Sequence, residues 1–141
     1  MKTIALKLTI LFALLSWVPL VSMAHAAEGG HETITPAFRN TIANVPGKTM
    51  TALIVEYKPG GKSLPHRHGS AFVTGYVLAG AIRSKLNNGD EKVYKAGDSW
   101  TEKPGDHHTI SENASNTEPA KLLAIFISDT KQKNLVEFDK K

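Results

Sequence analysis

Two histidines separated by one residue, His66 and His68, stand near the middle of the chain, directly after Pro65. Side chains alternate between the two faces of a β-strand, so on a strand both imidazoles point the same way and can reach one metal ion. A proline pushes the residue before it toward extended backbone, which favours a strand here over a helix. The spacing indicates two metal ligands, although a His-x-His pair alone is weak evidence.

A third histidine far along the chain strengthens this interpretation. His108 follows a Pro104-Gly105 turn, and its neighbour His107 would face the opposite side of a strand. Three imidazoles form a ligand set that suits iron, zinc, nickel or copper. The chain contains no cysteine, so a thiolate cannot serve as ligand or nucleophile. The sequence therefore predicts a metal site built from histidines.

The elements that must position these residues have the pattern of short strands. Apolar residues alternate with others at residues 49–58 and 81–86, and residues 121–128 are nearly all apolar, as in a central or doubly buried strand. Asn87-Asn88-Gly89-Asp90 is a strong hairpin signal. No sustained helical period occurs outside the N-terminal segment. We therefore predict a closed all-β sandwich or barrel.

The first residues have the features of a secretory signal peptide. Lys2 and Lys7 precede an apolar run from Ile10 to Val21, and Ala24-His25-Ala26 has the small-x-small pattern of a signal-peptidase site. The run contains a proline and is short for a membrane span. We predict cleavage after Ala26 and a location in the periplasm or outside the cell, with no membrane span in the remainder.

The remaining chain is long enough for one domain with a core. We divide it into an N-terminal arm (27–48), with a strand near Ile34–Phe38, a domain (49–128) and a C-terminal tail (129–141). The apolar residues of the tail could pack against the domain or a partner subunit, and a homodimer is our default expectation.

The charge balance argues against nucleic acid as a partner. The chain has 17 lysines and arginines against 13 acidic residues, a formal charge of +4, and two of the positive charges lie in the predicted signal peptide. The other basic residues are scattered and are not interleaved with aromatic residues. We therefore expect a small-molecule ligand or substrate.

The chain resembles the cupins, a family of small jelly-roll barrels, also called double-stranded β-helices, with two short motifs. The first motif contains a glycine, His-x-His, a glutamate and a second glycine. Gly60, His66, His68 and Gly80 occupy four of these positions, and Val73 stands where the family has the glutamate.

The second motif matches at Gly97, Gly105 and His108, while Pro104 and Asn113 are each displaced by one position. The resemblance extends over about residues 49–128. It implies an all-β, cupin-type jelly-roll barrel whose metal ligands are His66, His68 and His108.

The missing glutamate has a chemical consequence. Three neutral imidazoles leave a more Lewis-acidic ion with open coordination positions for water, substrate or dioxygen, and the three-histidine cupins that this arrangement resembles include thiol and diketone dioxygenases. Glu102 and Asp106 are the candidates for an additional ligand. Val73, Tyr76 and Val77 are predicted to form the pocket wall.

Two functions remain open at this point. The first is an exported, metal-dependent, dioxygenase-like enzyme acting on a small organic substrate, with iron as the favoured ion and zinc, nickel, copper or manganese as alternatives. No residue stands out as a general base, which favours chemistry at the metal. The second is a non-catalytic sensor or carrier that binds a metal or a small ligand. Open coordination positions beside an apolar pocket would distinguish them.

Overall fold

The computed structural model describes residues 32–140, and their regular structure consists of ten β-strands. The strands are β1 (Glu32–Thr41), β2 (Lys48–Tyr57), β3 (His66–Arg67), β4 (Phe72–Ala79), β5 (Ala81–Leu86), β6 (Lys92–Lys95), β7 (Ser99–Glu102), β8 (His107–Asn113), β9 (Ala120–Asp129) and β10 (Glu137–Phe138). The predicted signal peptide and its cleavage position lie outside these residues. Within 32–140, no helix is long and apolar enough to cross a membrane.

The strands form two antiparallel sheets of five strands each. The first has the order β1-β2-β9-β4-β7 and the second the order β10-β3-β8-β5-β6. The nearly continuous apolar run became β9, which lies at the centre of the first sheet, as its composition predicted. The predicted all-β jelly-roll architecture is confirmed.

The core lies between the two sheets, and the alternation of side chains along each strand decides which residues enter it. On β2 the buried residues include Thr49, Thr51, Val55 and Tyr57. The largest buried cluster contains residues from both sheets: Val55, Tyr57, Val77, Ile82, Trp100, Ala120 and Leu122. Burying one large apolar side chain of this kind contributes about 1.5–3 kcal/mol to folding.

Gly80 connects the two sheets at the passage from β4 to β5. Its φ angle is +70°, and a Cβ atom there would lie 2.6 Å from the carbonyl oxygen of Pro119. Only glycine fits both the backbone conformation and the space. The second glycine of the first motif therefore lets the chain turn directly from one sheet into the other.

Both ends of the described chain are strands of the barrel. β1 is longer than the predicted strand at Ile34–Phe38 and pairs with β2 from Glu32 to Thr41. In the tail, where the sequence predicted no strand, β10 pairs with β3. Residues 32–41 of the predicted arm and residues 137–138 of the predicted tail thus belong to the same two sheets as residues 49–128.

Candidate metal centre

The three histidines lie together inside the barrel. β3 and β8 pair so that His66 is directly opposite His108, and His68 follows β3 by one residue. One nitrogen of each ring lies within 4.8 Å of those of the other two. All three residues are at least nine-tenths buried. Cross-strand pairing therefore unites ligand candidates that are distant in sequence.

Backbone carbonyl groups orient two of the rings. The Nδ1 atom of His66 lies 2.6 Å from the carbonyl oxygen of Leu64, and that of His68 lies 2.7 Å from the carbonyl oxygen of Leu135. A carbonyl oxygen only accepts hydrogen bonds, so each Nδ1 carries a proton, and in the neutral ring each Nε2 then has a free lone pair. Both free nitrogens are therefore in the form that binds metals.

Glu102 is a buried carboxylate at the end of β7, in contact with two of the histidines. Its Oε1 atom lies 3.2 Å from Nδ1 of His108 and accepts a 3.0 Å hydrogen bond from Nε1 of Trp100. Its Oε2 atom lies 3.4 Å from Nε2 of His68. The three imidazoles and this carboxylate form one cluster.

The cluster contains polar atoms that the protein leaves unsatisfied. Three buried side-chain polar atoms of the described residues lack a hydrogen-bond partner, and two of them are Oε2 of Glu102 and Nδ1 of His108. A buried carboxylate without full compensation is costly, so such groups are normally paired with a positive charge. A cation held by these atoms would supply that charge, and the donor set of three imidazoles and one carboxylate fits a divalent transition metal.

The position of Glu102 accounts for the missing glutamate of the first motif. Val73, which occupies the glutamate position, pairs with Glu102 across β4 and β7, and both side chains are buried at 2% exposure. Directly opposed residues in an antiparallel pair have Cβ atoms about 5 Å apart. The barrel therefore presents a carboxylate at nearly the same place from the neighbouring strand.

A glycine makes room for the indole that holds this carboxylate. Gly75 pairs with Trp100, and a Cβ atom on Gly75 would lie 2.5 Å from the indole ring. The ring can therefore approach the backbone of β4 closely while its nitrogen donates a hydrogen bond to Glu102, two residues further along β7. The sequence contains no signal for this arrangement beyond the i, i+2 spacing of Trp100 and Glu102.

A cavity adjoins the cluster between the two sheets. Its volume is about 50 Å³, enough for a few water molecules or a small organic molecule. Most of the wall is apolar and includes Val73, Phe126, Val136 and Phe138. The last two belong to the tail, and the Phe138 ring lies 5.9 Å from the His66 ring. The tail is therefore one side of the cavity.

A family model described as "Cupin domain" matches residues 53–126. The chain belongs to the cupin family. In this cupin the two family motifs carry the histidines, while Glu102, the tail and β1 supply the other groups that surround them. No curated protein sequence matches the chain.

Solved structures share the fold of this cupin. An uncharacterized double-stranded β-helix protein from Klebsiella pneumoniae has a TM-score of 0.62 at 19% identity, covering 79% of this chain and 86% of that one. A recombinant oxalate oxidase in complex with glycolate has a TM-score of 0.59 at 22% identity, covering 77% and 55%. The DMSP lyase DddQ from Ruegeria pomeroyi has a TM-score of 0.54 at 18% identity, covering 63% and 42%. At these identities the similarity establishes the fold alone, and the chain spans about half the length of the two enzymes.

The other candidate ligands of this cupin lie away from the cluster. Asp106 closes the turn before β8: its Oδ2 accepts a hydrogen bond from the Lys103 amide, and its Oδ1 accepts one from the Asn87 side chain. His107 faces away from its neighbour, with Nε2 2.9 Å from Oδ2 of Asp139. Of the two carboxylates proposed from the sequence, the structure brings only Glu102 to the histidines.

The three predicted wall residues have different surroundings because side chains alternate along β4. Val73 faces inward and lines the cavity. Val77 also faces inward, but it packs in the core cluster and does not line the cavity. Tyr76 is adjacent to Val77 in sequence, so its side chain lies on the opposite, outer face of the sheet, with 41% exposure. The structure therefore does not place Tyr76 in the wall.

The electrostatics of the cluster favour metal-binding protonation states. Burial is the main cause that lowers the pKa of His66 to about 4. The hydrogen bond to Leu64 acts in the opposite direction, and the nearby rings of His108 and His68 lower this pKa further. His66 is therefore neutral at pH 7. Burial raises the pKa of Glu102, but the neighbouring His108 and His68 outweigh it and hold this pKa well below its usual range.

Proposed function

We propose that this cupin is a metalloprotein in which His66, His68, His108 and Glu102 bind one divalent transition-metal ion. The observation that carries the proposal is the pair of buried atoms without hydrogen-bond partners, Oε2 of Glu102 and Nδ1 of His108, beside two imidazoles with free Nε2 atoms. A cation held by the three histidines would also compensate the charge of the Glu102 carboxylate that contacts two of them. The carboxylate adds a hard oxygen ligand, which suits iron and manganese better than copper.

The bound ion would supply Lewis acidity or redox chemistry at coordination positions that the four side chains leave open. The protein's own contribution is to orient the ligands and to shape the cavity. Leu64 and Leu135 fix the tautomers of His66 and His68, and Trp100 fixes the carboxylate. The apolar wall excludes bulk water from the space where a small ligand would bind.

We propose an oxygen-dependent oxidoreductase of the dioxygenase type as the activity, with a small organic acid as the substrate class. The small cavity supports a substrate of few atoms, and the similarity to an oxalate oxidase solved with glycolate suggests two-carbon acids as the first compounds to test. Iron is the favoured ion and manganese the first alternative, with zinc, nickel and copper behind them.

The first experiment is elemental analysis of the protein purified without chelators or an affinity tag, beside a His66→Ala/His68→Ala control. We expect about one equivalent of metal that is absent from the control. Oxygen consumption is then measured with glycolate and oxalate. Metal-dependent uptake of oxygen supports the enzyme. Metal and ligand binding without turnover would instead support the sensor or carrier. Absence of metal from the native protein would contradict the proposal.

Export to the periplasm or the medium is the second part of the proposal, and it depends on the predicted signal peptide. Fractionation of the source cells followed by N-terminal sequencing tests it, with Ala27 expected as the first residue. A cytoplasmic protein that retains Met1 would contradict it. The predicted homodimer stays a prediction, which light scattering of the purified protein tests.

A further inference from the structure

A group of four polar side chains lines the cavity in addition to the metal cluster. Glu32 comes from β1, Tyr57 from the end of β2, Ser63 from the following loop and Ser111 from β8. Tyr57 and Ser111 are buried, at 1% and 6% exposure. The rest of the lining outside the cluster is almost entirely apolar. Few and convergent polar groups in an apolar cavity are the usual means of orienting a small ligand.

These four side chains form an unbroken chain of hydrogen bonds. Ser63 donates its hydroxyl hydrogen to Oε2 of Glu32. The Tyr57 oxygen lies 2.7 Å from Oγ of Ser63 and 2.9 Å from Oγ of Ser111. Each of the three hydroxyl groups is therefore linked to the next, and a carboxylate ends the series.

The carboxylate sets the direction of all the bonds. Because Ser63 donates to Glu32, its oxygen accepts from Tyr57, and the Tyr57 oxygen in turn accepts from Ser111. Burial, partly offset by the hydrogen bonds to Ser111 and Ser63, raises the pKa of Tyr57 to about 12. Tyr57 thus keeps its hydrogen at physiological pH. With its own hydrogen committed to Tyr57, Ser111 presents only acceptor lone pairs to the cavity.

The acceptor end lies on the same strand as one of the metal-site histidines. Ser111 is three residues from His108 on β8, and its cross-strand partner Ser84 lies 2.8 Å from Nε2 of that histidine. A strand rises about 3.3 Å per residue. A two- or three-carbon molecule, together with its contacts to the metal and to Ser111, can therefore bridge the distance between the two β8 positions.

We propose that Ser111, Tyr57, Ser63 and Glu32 form a subsite that accepts a hydrogen bond from the hydroxyl group of a small acid whose carboxylate is held at the metal. Ser111 contacts the ligand. Glu32 is a positioning residue that fixes the direction in which the hydrogen bonds between the four side chains run. The subsite selects ligands that donate a hydrogen over ligands of the same size that cannot. This inference rests on the proposed metal site.

The test compares glycolate with fluoroacetate, which has nearly the same size and the same carboxylate but no hydroxyl hydrogen. Dissociation constants are measured by calorimetry on the metal-loaded protein. One hydrogen bond is worth about 1 kcal/mol, so glycolate should bind about fivefold more tightly or better. Ser111→Ala should bring the ratio close to one without changing the metal content or the affinity for fluoroacetate.

Glu32→Gln provides the sharper control because it preserves size and does not touch the ligand. An amide can donate as well as accept, so the hydrogen bonds can run in either direction and the preference for glycolate should shrink. A purely structural role for the four groups would leave the ratio unchanged.

Three results would overturn the inference. The metal-loaded wild type could bind the two acids with equal affinity, or it could bind neither acid. The third result is a ratio of the two affinities that is the same in both variants as in the wild type. Each of these leaves the metal site standing, because metal content is measured separately. Absence of metal from the wild type would remove the proposed function and this inference together.

Discussion

At one end of the cavity, three imidazoles and Glu102 face one another with two buried polar atoms left unsatisfied, whereas at the other end Tyr57, Ser63, Ser111 and Glu32 satisfy one another. We call these the metal end and the hydroxyl end. The metal end is incomplete without a cation, but the hydroxyl end is complete by itself. The same barrel therefore contains one group of side chains organised for a ligand and another that is stable before a ligand arrives.

The two ends also depend on different elements. The metal end uses β3, β7, β8 and the tail, while the hydroxyl end uses β1, β2 and the loop that follows it. Among the strands of residues 32–140, β8 alone contributes to both. Substitutions at one end should therefore leave the properties of the other largely unchanged.

The largest expected effect comes from removing one histidine of the metal end. His108→Ala should lower metal affinity about 100-fold or more, because it removes one of four ligands and leaves a set of two imidazoles and one carboxylate that still binds iron. His107→Ala is the matched control, since that ring faces Asp139 instead. Metal titration followed by elemental analysis measures both. A metal affinity of His108→Ala equal to that of the wild type would contradict the ligand set.

The next effect tests the carboxylate. Glu102→Gln should lower metal affinity at least about 10-fold, because altering even an outer-shell partner of a metal ligand costs about 10–100-fold. Adding Val73→Glu should restore part of the loss, because the two positions face each other across β4 and β7. Asp106→Asn is the control and should have no effect on metal affinity. Equal affinity of Glu102→Gln and wild type would exclude the carboxylate from the site.

At the hydroxyl end, Tyr57 should make stability depend on alkaline pH. Its pKa is raised from 10.0 to about 12 in the folded protein, so between these values the unfolded state loses the proton first and stability falls as pH rises. The shift corresponds to about 2–3 kcal/mol. Tyr57→Phe should lack this part of the decrease. Urea unfolding at pH 9 and pH 12 compares the two proteins, and parallel losses in both would contradict the assignment.

The smallest expected effect comes from a substitution that disturbs the metal end without replacing a metal ligand. Gly75→Ala places a methyl group 2.5 Å from the Trp100 indole, and overpacking of this kind costs about 1–3 kcal/mol. The displaced indole should also weaken its hydrogen bond to Glu102, so metal affinity should fall modestly. Thermal unfolding and metal titration measure the two consequences. Gly97→Ala is the comparison, because open space surrounds that position and only its backbone is strained.

The sequence predicts the metal end better than the hydroxyl end, for a physical reason. His66 and His68 are two residues apart on extended backbone, and a turn of recognisable composition precedes His108. Ligands presented in this way leave a local pattern. The choice of Glu102 over Asp106 depends instead on the register between β4 and β7, which the sequence does not specify.

No local pattern marks the hydroxyl end. Glu32 reaches the cavity only because β1 joins the first sheet, and Ser63 lies in a loop. Tyr57 fits the apolar alternation of β2 and is indistinguishable there from an ordinary core residue. The acceptor for His68 is equally hidden, since the Leu135 carbonyl is a backbone group that any residue provides.

That carbonyl makes the centre sensitive to proteolysis. Leu135 is joined to the barrel through Lys131 and Lys133, both ordinary trypsin sites in the polar stretch before β10. A single cut after Lys133 would leave the segment that orients His68 and contacts His66 held only by non-covalent contacts. Metal should in turn protect this segment by holding the His68 ring against its acceptor. The rate of tryptic cleavage in the tail should therefore report whether the centre is loaded, because the cut lies between Gln132 and Leu135, which both hydrogen-bond His68.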